Sequence, residues 1–182
     1  MRALVVYESM FGNTRRVAQE VAGALGTALD VRLAHADDVT PDDCAGFDLV
    51  VVGAPTHAWG MPRAGTRRAA RSKVVTSGDH VLEPEADTKS GARELLASLR
   101  PHDIDGWVAA FDTRRRGPGW LTGRASTAIA SALSRLGSRE LVAPESFLVD
   151  PRDCLIPGEL ERARAWGAQL RHEIELHVAS AM

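Results

Sequence analysis

Ala3-Leu4-Val5-Val6-Tyr7 is an unbroken apolar run rich in β-branched side chains. It predicts a strand buried on both faces. Across residues 13–25, Val17, Val21, Ala24 and Leu25 recur at helical spacing, and Gly26 marks the stop. Residues 29–34 alternate weakly and predict a second strand. Residues 47–53, entered by Cys44-Ala45-Gly46, carry the strongest strand pattern of the chain. From 54 to 88 no period stands out, and Gly, Pro, Thr and charge predict mostly loop with a helical turn or two. A short amphipathic helix is predicted over 90–99, ended by Arg100-Pro101, and a third buried strand over 107–111. Ala125, Ile129, Ala132, Leu133 and Leu136 share one face of a helix predicted over 122–136, closed by Gly137. A last strand covers 140–142 and 146–149, broken at Ala143-Pro144. The pattern closes with a helix over 158–178 that turns Leu160, Ala163, Trp166, Leu170, Ile174 and Val178 inward.

Strands alternating with helices imply parallel pairing, right-handed crossovers and helices on both faces. The expected architecture is therefore α/β: one domain over 1–182 with a doubly wound five-stranded sheet of order 2-1-3-4-5. In that topology ligands sit outside the carboxyl ends of the strands, where the order reverses. The loops after Tyr7, Gly53 and Phe111 are the ones to inspect.

Composition changes this picture little. The chain has 182 residues, 45% of them hydrophobic and 25% charged, with a net charge of −2. That balance points to neither nucleic acid nor an anionic membrane as partner. Cys44 and Cys154 are the only cysteines, too few for a disulfide framework and wrongly spaced for a metal site. No basic leader and no apolar stretch near ~20 residues is found, so a cytoplasmic location is expected.

The first loop, Ser9-Met10-Phe11-Gly12-Asn13-Thr14, leads into a helix start. Gly12 allows a tight turn and close approach of a ligand to the backbone. Ser9, Asn13 and Thr14 offer side-chain donors, and the free amides of a first helical turn favour an anion. Arg15 and Arg16 are poorly placed at an empty helix start, a conflict that a bound dianion would remove. With neither GxGxxG nor GxxxxGK[ST] present, a single phosphate is expected; a plain capped helix start is the competing reading. The second loop, Gly53-Ala54-Pro55-Thr56-His57-Ala58-Trp59-Gly60-Met61-Pro62, offers Trp59 to a flat aromatic ligand and His57 as a hydrogen-bond donor. The third, Asp112-Thr113-Arg114-Arg115-Arg116-Gly117-Pro118-Gly119-Trp120-Leu121-Thr122, again joins polar groups, glycines and a Trp.

Taken together, these segments resemble the flavodoxins. Val6 to Thr14 is similar to their FMN-phosphate loop, usually Ser/Thr-x-Thr-Gly-x-Thr, and Gly53-Ala54-Pro55-Thr56 with Trp59-Gly60 resembles their second flavin loop. Phe111 to Arg114, with Pro144-Glu145-Ser146-Phe147-Leu148-Val149 and residues 158–163, resembles flavodoxin-like proteins of high-GC bacteria. The resemblance implies noncovalent FMN. It places Ser9, Asn13 and Thr14 on the phosphate, Thr56 and Trp59 beside the ring, and Asp112, Thr113 and Arg114 near its polar edge. Met10, Phe11, Gly12, Pro55, His57, Ala58 and Gly60 complete the implied contact set. Phe11 stands where the family has Thr, and the third loop offers no Tyr to stack on the ring.

Flavodoxin carriers are typically acidic around the flavin, and this chain differs. Residues 54–75 hold Arg63, Arg67, Arg68, Arg71 and Lys73 without an acid, net +5, and residues 112–124 set four Arg against Asp112, net +3. A positive rim should stabilise the anionic hydroquinone and attract an acidic redox protein or NAD(P)H. The expected function is FMN-based electron transfer between a reduced donor and a redox partner. An NAD(P)H:quinone-type oxidoreductase, with residues 61–89 as its lid, and a flavin-free binding module are the alternatives.

Overall fold

A computed structural model describes residues 1–57, 60–77 and 90–180. β1 (Arg2–Tyr7) lies between β2 (Asp30–His35) and β3 (Leu49–Pro55), and all three run parallel. β4 (Trp107–Arg115) pairs with β3 on its other side. The fifth position is shared by two short segments. β5 (Arg139–Glu140) pairs with the start of β4 and β6 (Glu145–Val149) with its end, both parallel. The order is thus β2-β1-β3-β4-β5, with β6 continuing beside β4. Pro144 lies in the gap between the two segments, where its missing N–H costs no ladder bond.

Period-2 alternation in the central strands feeds two apolar layers. Leu4, Val6, Val50, Val52, Val108 and Ala110 face α3 (Ala92–Ser98) and α5 (Ala125–Arg135). Ala3, Val5, Leu49, Val51, Ala109 and Phe111 face α1 (Asn13–Leu25) and α6 (Glu159–Ser180). Phe111, Phe147 and Trp166 meet edge to face at 6.0–6.1 Å in the second layer. Gly53 of β3 leaves room for this ring system, because a Cβ there would stand 2.0 Å from Phe111 Cζ.

Two expectations are corrected. Residues 64–77, read as loop, form the helix α2 (Ala64–Ser77). Among the described side chains of its first two turns the buried one is Arg67, a residue type that marks no apolar stripe for a periodicity reading. Asp112, Thr113 and Arg114, read as the third loop, belong to β4, which continues to Arg115 against Ser146, Phe147, Leu148 and Val149. Their polar side chains hid the strand. The loop that follows includes a short helix, α4 (Gly119–Thr122), before α5 begins.

Candidate functional site

At the carboxyl edge of the sheet the chain leaves β1 through a buried turn. Glu8 and Ser9 are each 2% exposed. The Ser9 hydroxyl oxygen accepts the Gly12 amide at 3.1 Å, so this side chain closes the turn itself. Gly12 sits in the left-handed region at φ 82°, where an L side chain is strained. It precedes α1, whose first turn has no acidic residue and no side-chain cap. The amides of Asn13 and Thr14 meet no acceptor among the described residues, so two N–H groups at the positive end of a helix stand ready for an anion.

Thr14 is buried and its hydroxyl pairs with that of Thr113 at 2.7 Å, tying the helix start to β4. Asn13 instead reaches a segment 140 positions away: its Nδ2 donates to the Asp153 carbonyl at 2.5 Å. Met10 is buried, and Phe11 is half-buried.

A fourth loop, residues 150–158 after β6, therefore borders the first. Asp150 Oδ1 accepts the amides of Arg152 and Cys154, and Arg115 pairs with the Asp153 carboxylate at 3.3 Å. Sequence spacing gave no sign of this contact. The one local cue is the pair Asp150-Pro151, a turn former. Cys154 is exposed, while Cys44 is buried, and burial pushes its thiol up to about 11.

The second loop is pinned at both ends. The Thr56 amide donates to the Thr113 carbonyl at 2.8 Å, and the Thr56 hydroxyl accepts the Ala125 amide at 2.9 Å. His57 and Gly60 exchange backbone hydrogen bonds of 2.8 and 3.0 Å across the two positions between them. Those positions, Ala58 and Trp59, lie outside the described residues, as does the side chain of Trp120. Pro55 ends β3 opposite Thr113.

The third group behaves differently from its expected role. Asp112 is fully buried, and its Oδ2 accepts the Ser126 amide and hydroxyl at 2.8 and 2.9 Å. It caps α5 across the fold. Burial holds its carboxyl above the ordinary value of 3.8, against the opposing Ser126 hydrogen bonds. Arg114 is 8% exposed and donates through Nη1 to the Gly117 carbonyl at 2.8 Å and the Thr122 hydroxyl at 3.0 Å. It organises the loop beyond β4 from within. Ser9, Gly12, Thr14, Thr56 and Thr113 thus converge on the ends of β1, β3 and β4, whereas Asp112 and Arg114 turn to structural partners.

The positive rim is smaller than its formal charge. Arg67 is buried between Glu8 and Glu94, and Arg115 is paired, whereas Arg63, Arg68, Arg116 and Arg124 are exposed.

Residues 4–66, which contain the first two loops, match the family model described as a flavodoxin domain. Over those residues the chain is similar to a flavodoxin domain. A flavodoxin of Aquifex aeolicus is 38% identical over 68 residues, 34% of this chain, and the chain spans 37% of that relative's length. Among solved structures, a flavodoxin from the domain Archaea aligns with 96% of this chain and 99% of its own at a TM-score of 0.63 and 20% identity. The oxidised Flavodoxin 1 of Bacillus cereus aligns at 0.64 and 15% identity over 93% of this chain and 97% of its own. A WrbA-like flavodoxin of Agrobacterium tumefaciens gives 0.61 and 20% over 97% and 98%. These likenesses show the fold.

FMN is the cofactor that flavodoxins bind. The turn fits its phosphate on two grounds: the amides of Asn13 and Thr14, which meet no acceptor among the described residues, and the side-chain-free approach at Gly12. Among the described residues no cluster of three or more His, Cys, Asp or Glu could hold a metal, and no helix is long and apolar enough to cross a membrane.

Proposed function

We propose that this chain binds FMN without a covalent link and passes electrons between a reduced donor and a redox partner. The acceptor-free amides at the start of α1, in a turn closed by Ser9 and Gly12, carry this reading. They supply hydrogen bonds and a positive dipole end to a single phosphate, which is what FMN presents. The bound flavin would supply the redox chemistry. The protein positions it: Ser9 to Thr14 hold the phosphate, while Thr56, His57 and Gly60 form the wall beside the ring.

Asp112 and Arg114 act one step back from the cofactor, by fixing α5 and the loop over 116–122. The exposed Arg63, Arg68, Arg116 and Arg124 suit a partner that is acidic on its docking face, or the phosphates of NAD(P)H. We take the protein to act in the cytoplasm. Of residues 61–89, the alternative's lid, 64–77 are helical with Arg67 tied to Glu8, which argues against that part moving as a lid, and 78–89 lie outside the described residues. The test is anaerobic. FMN-loaded protein mixed with NAD(P)H alone should stay oxidised, then bleach when a flavin reductase is added. Bleaching by NAD(P)H and reoxidation by a quinone without a reductase would make it an enzyme instead.

A further inference from the structure

Beside the phosphate turn lies a buried charge cluster that electron transfer does not use. Glu8 joins β1 to the turn, with its amide donating to the Gly53 carbonyl at 2.9 Å. Its carboxylate faces the α2 and α3 side of the sheet. There Arg67 Nε donates to Oε1 at 2.7 Å, Arg67 Nη2 to Oε2 at 3.2 Å, and the Ala92 amide to Oε2 at 3.0 Å. The outer side of the same guanidinium holds Glu94, at 3.2 Å from Nη1 and 2.7 Å from Nη2. Both charged groups of the inner pair are buried, with side chains 3% exposed. Gly91 is what permits the approach: a Cβ there would stand 2.4 Å from Glu8 Oε2 and 2.5 Å from Arg67 Nη2.

A carboxylate one residue ahead of an anion site is an unfavourable neighbour. Its repulsion on a phosphate dianion is screened poorly at a buried position. Left alone it would also carry the cost of an uncompensated buried charge. Arg67 answers both. Burial by itself would weaken its hold on a proton, but its bonds to Glu8 and Glu94 outweigh that and keep the guanidinium charged. The fork fixes Glu8 from two directions, and Glu8 fixes the point where the backbone leaves β1.

We infer that Arg67 is a positioning residue of the phosphate site, neutralising Glu8 and setting the junction from which Ser9 to Thr14 turn toward a phosphate. This rests on the FMN reading above. It accounts for an arginine as the buried anchor of α2, where an apolar side chain would pack at less cost.

The readout is the ratio of FMN to riboflavin affinity, because the two ligands differ only by the phosphate. It is measured by flavin fluorescence quenching on wild type, R67M, R67K and E8Q, each checked for a cooperative melt. R67M should lower the ratio by about tenfold, since the Glu8 charge next to the phosphate turn is then left without its guanidinium partner. R67K, which keeps the charge and loses the fork, should hold the ratio within about threefold of wild type. E8Q removes the carboxylate beside the turn, leaves Arg67 paired with Glu94 alone and should raise the ratio, which keeps the test decisive if R67M does not fold. A wild type that prefers FMN while R67M and E8Q keep its ratio overturns the role of Arg67 alone. A wild type that binds neither flavin overturns the cofactor reading and this role with it.

Discussion

Gly12 and Gly53 set single-atom limits on the site, for different reasons. At φ 82° Gly12 occupies backbone space that an alanine enters only with strain. G12A should cost about 1–2 kcal/mol of stability, read as a lower urea midpoint at unchanged slope, and should weaken FMN binding by turning the first amides of α1. Gly53 is limited by packing: a Cβ would stand 2.0 Å from the Phe111 ring. G53A should cost roughly 1–3 kcal/mol as an overpacked core position. Shrinking the ring with F111L should relieve part of that cost, so the G53A/F111L pair should lie closer to F111L alone than additivity allows. An additive double-mutant cycle would contradict this contact. Gly12 was readable as a turn glycine from its place in Phe11-Gly12-Asn13. The need for Gly53 was not, because the ring above it comes from a strand 58 positions later.

At the scale of elements, α5 is held at its first turn by the loop that leaves β3 and by β4. Thr56 accepts the Ala125 amide and Asp112 accepts the Ser126 amide. T56A removes one of these caps and should cost about 1 kcal/mol in denaturant unfolding. Asp112 adds a pH dependence. Its carboxyl titrates above 3.8 when folded, so the folded chain binds this proton more tightly than the unfolded one. That contribution favours folding below 3.8 and is lost as pH rises through the folded value, then stays constant. D112N removes the slope while keeping an oxygen for Ser126. Across unfolding curves from about pH 3 to pH 7, D112N should gain on wild type over that interval. A constant difference between them would show Asp112 to be unshifted.

These same elements show what the sequence could and could not reveal. β1, β3 and α1 were legible because Leu4 to Val6, Val50 to Val52, and Val17, Val21 and Leu25 are apolar at the right periods and buried. α2 was hidden because its anchor is Arg67, a residue type that pattern reading assigns to solvent. Asp112 to Arg114 read as loop because polar side chains in a central strand need partners, and theirs arrive from α5, α1 and the following turn. The contact of Asn13 with Asp153 has no local signature at all.

For the whole molecule, parallel strands with helices on both faces place the ends of β1, β3 and β4 side by side, and that edge gathers the amides of α1, Thr56 and Thr113. Behind it Arg67 is held between Glu8 and Glu94, and among the described side chains of the two basic stretches Arg63, Arg68, Arg116 and Arg124 are exposed. The function of that edge depends on its recognising a flavin by the phosphate. Titrating flavin-free protein with FMN and with riboflavin, and following flavin fluorescence, tests this most directly. FMN should be quenched with one-to-one stoichiometry, and riboflavin should bind at least ~100-fold more weakly, as expected for two or more charge-assisted bonds lost with the phosphate. No quenching by FMN, or equal affinity for the two flavins, would contradict it.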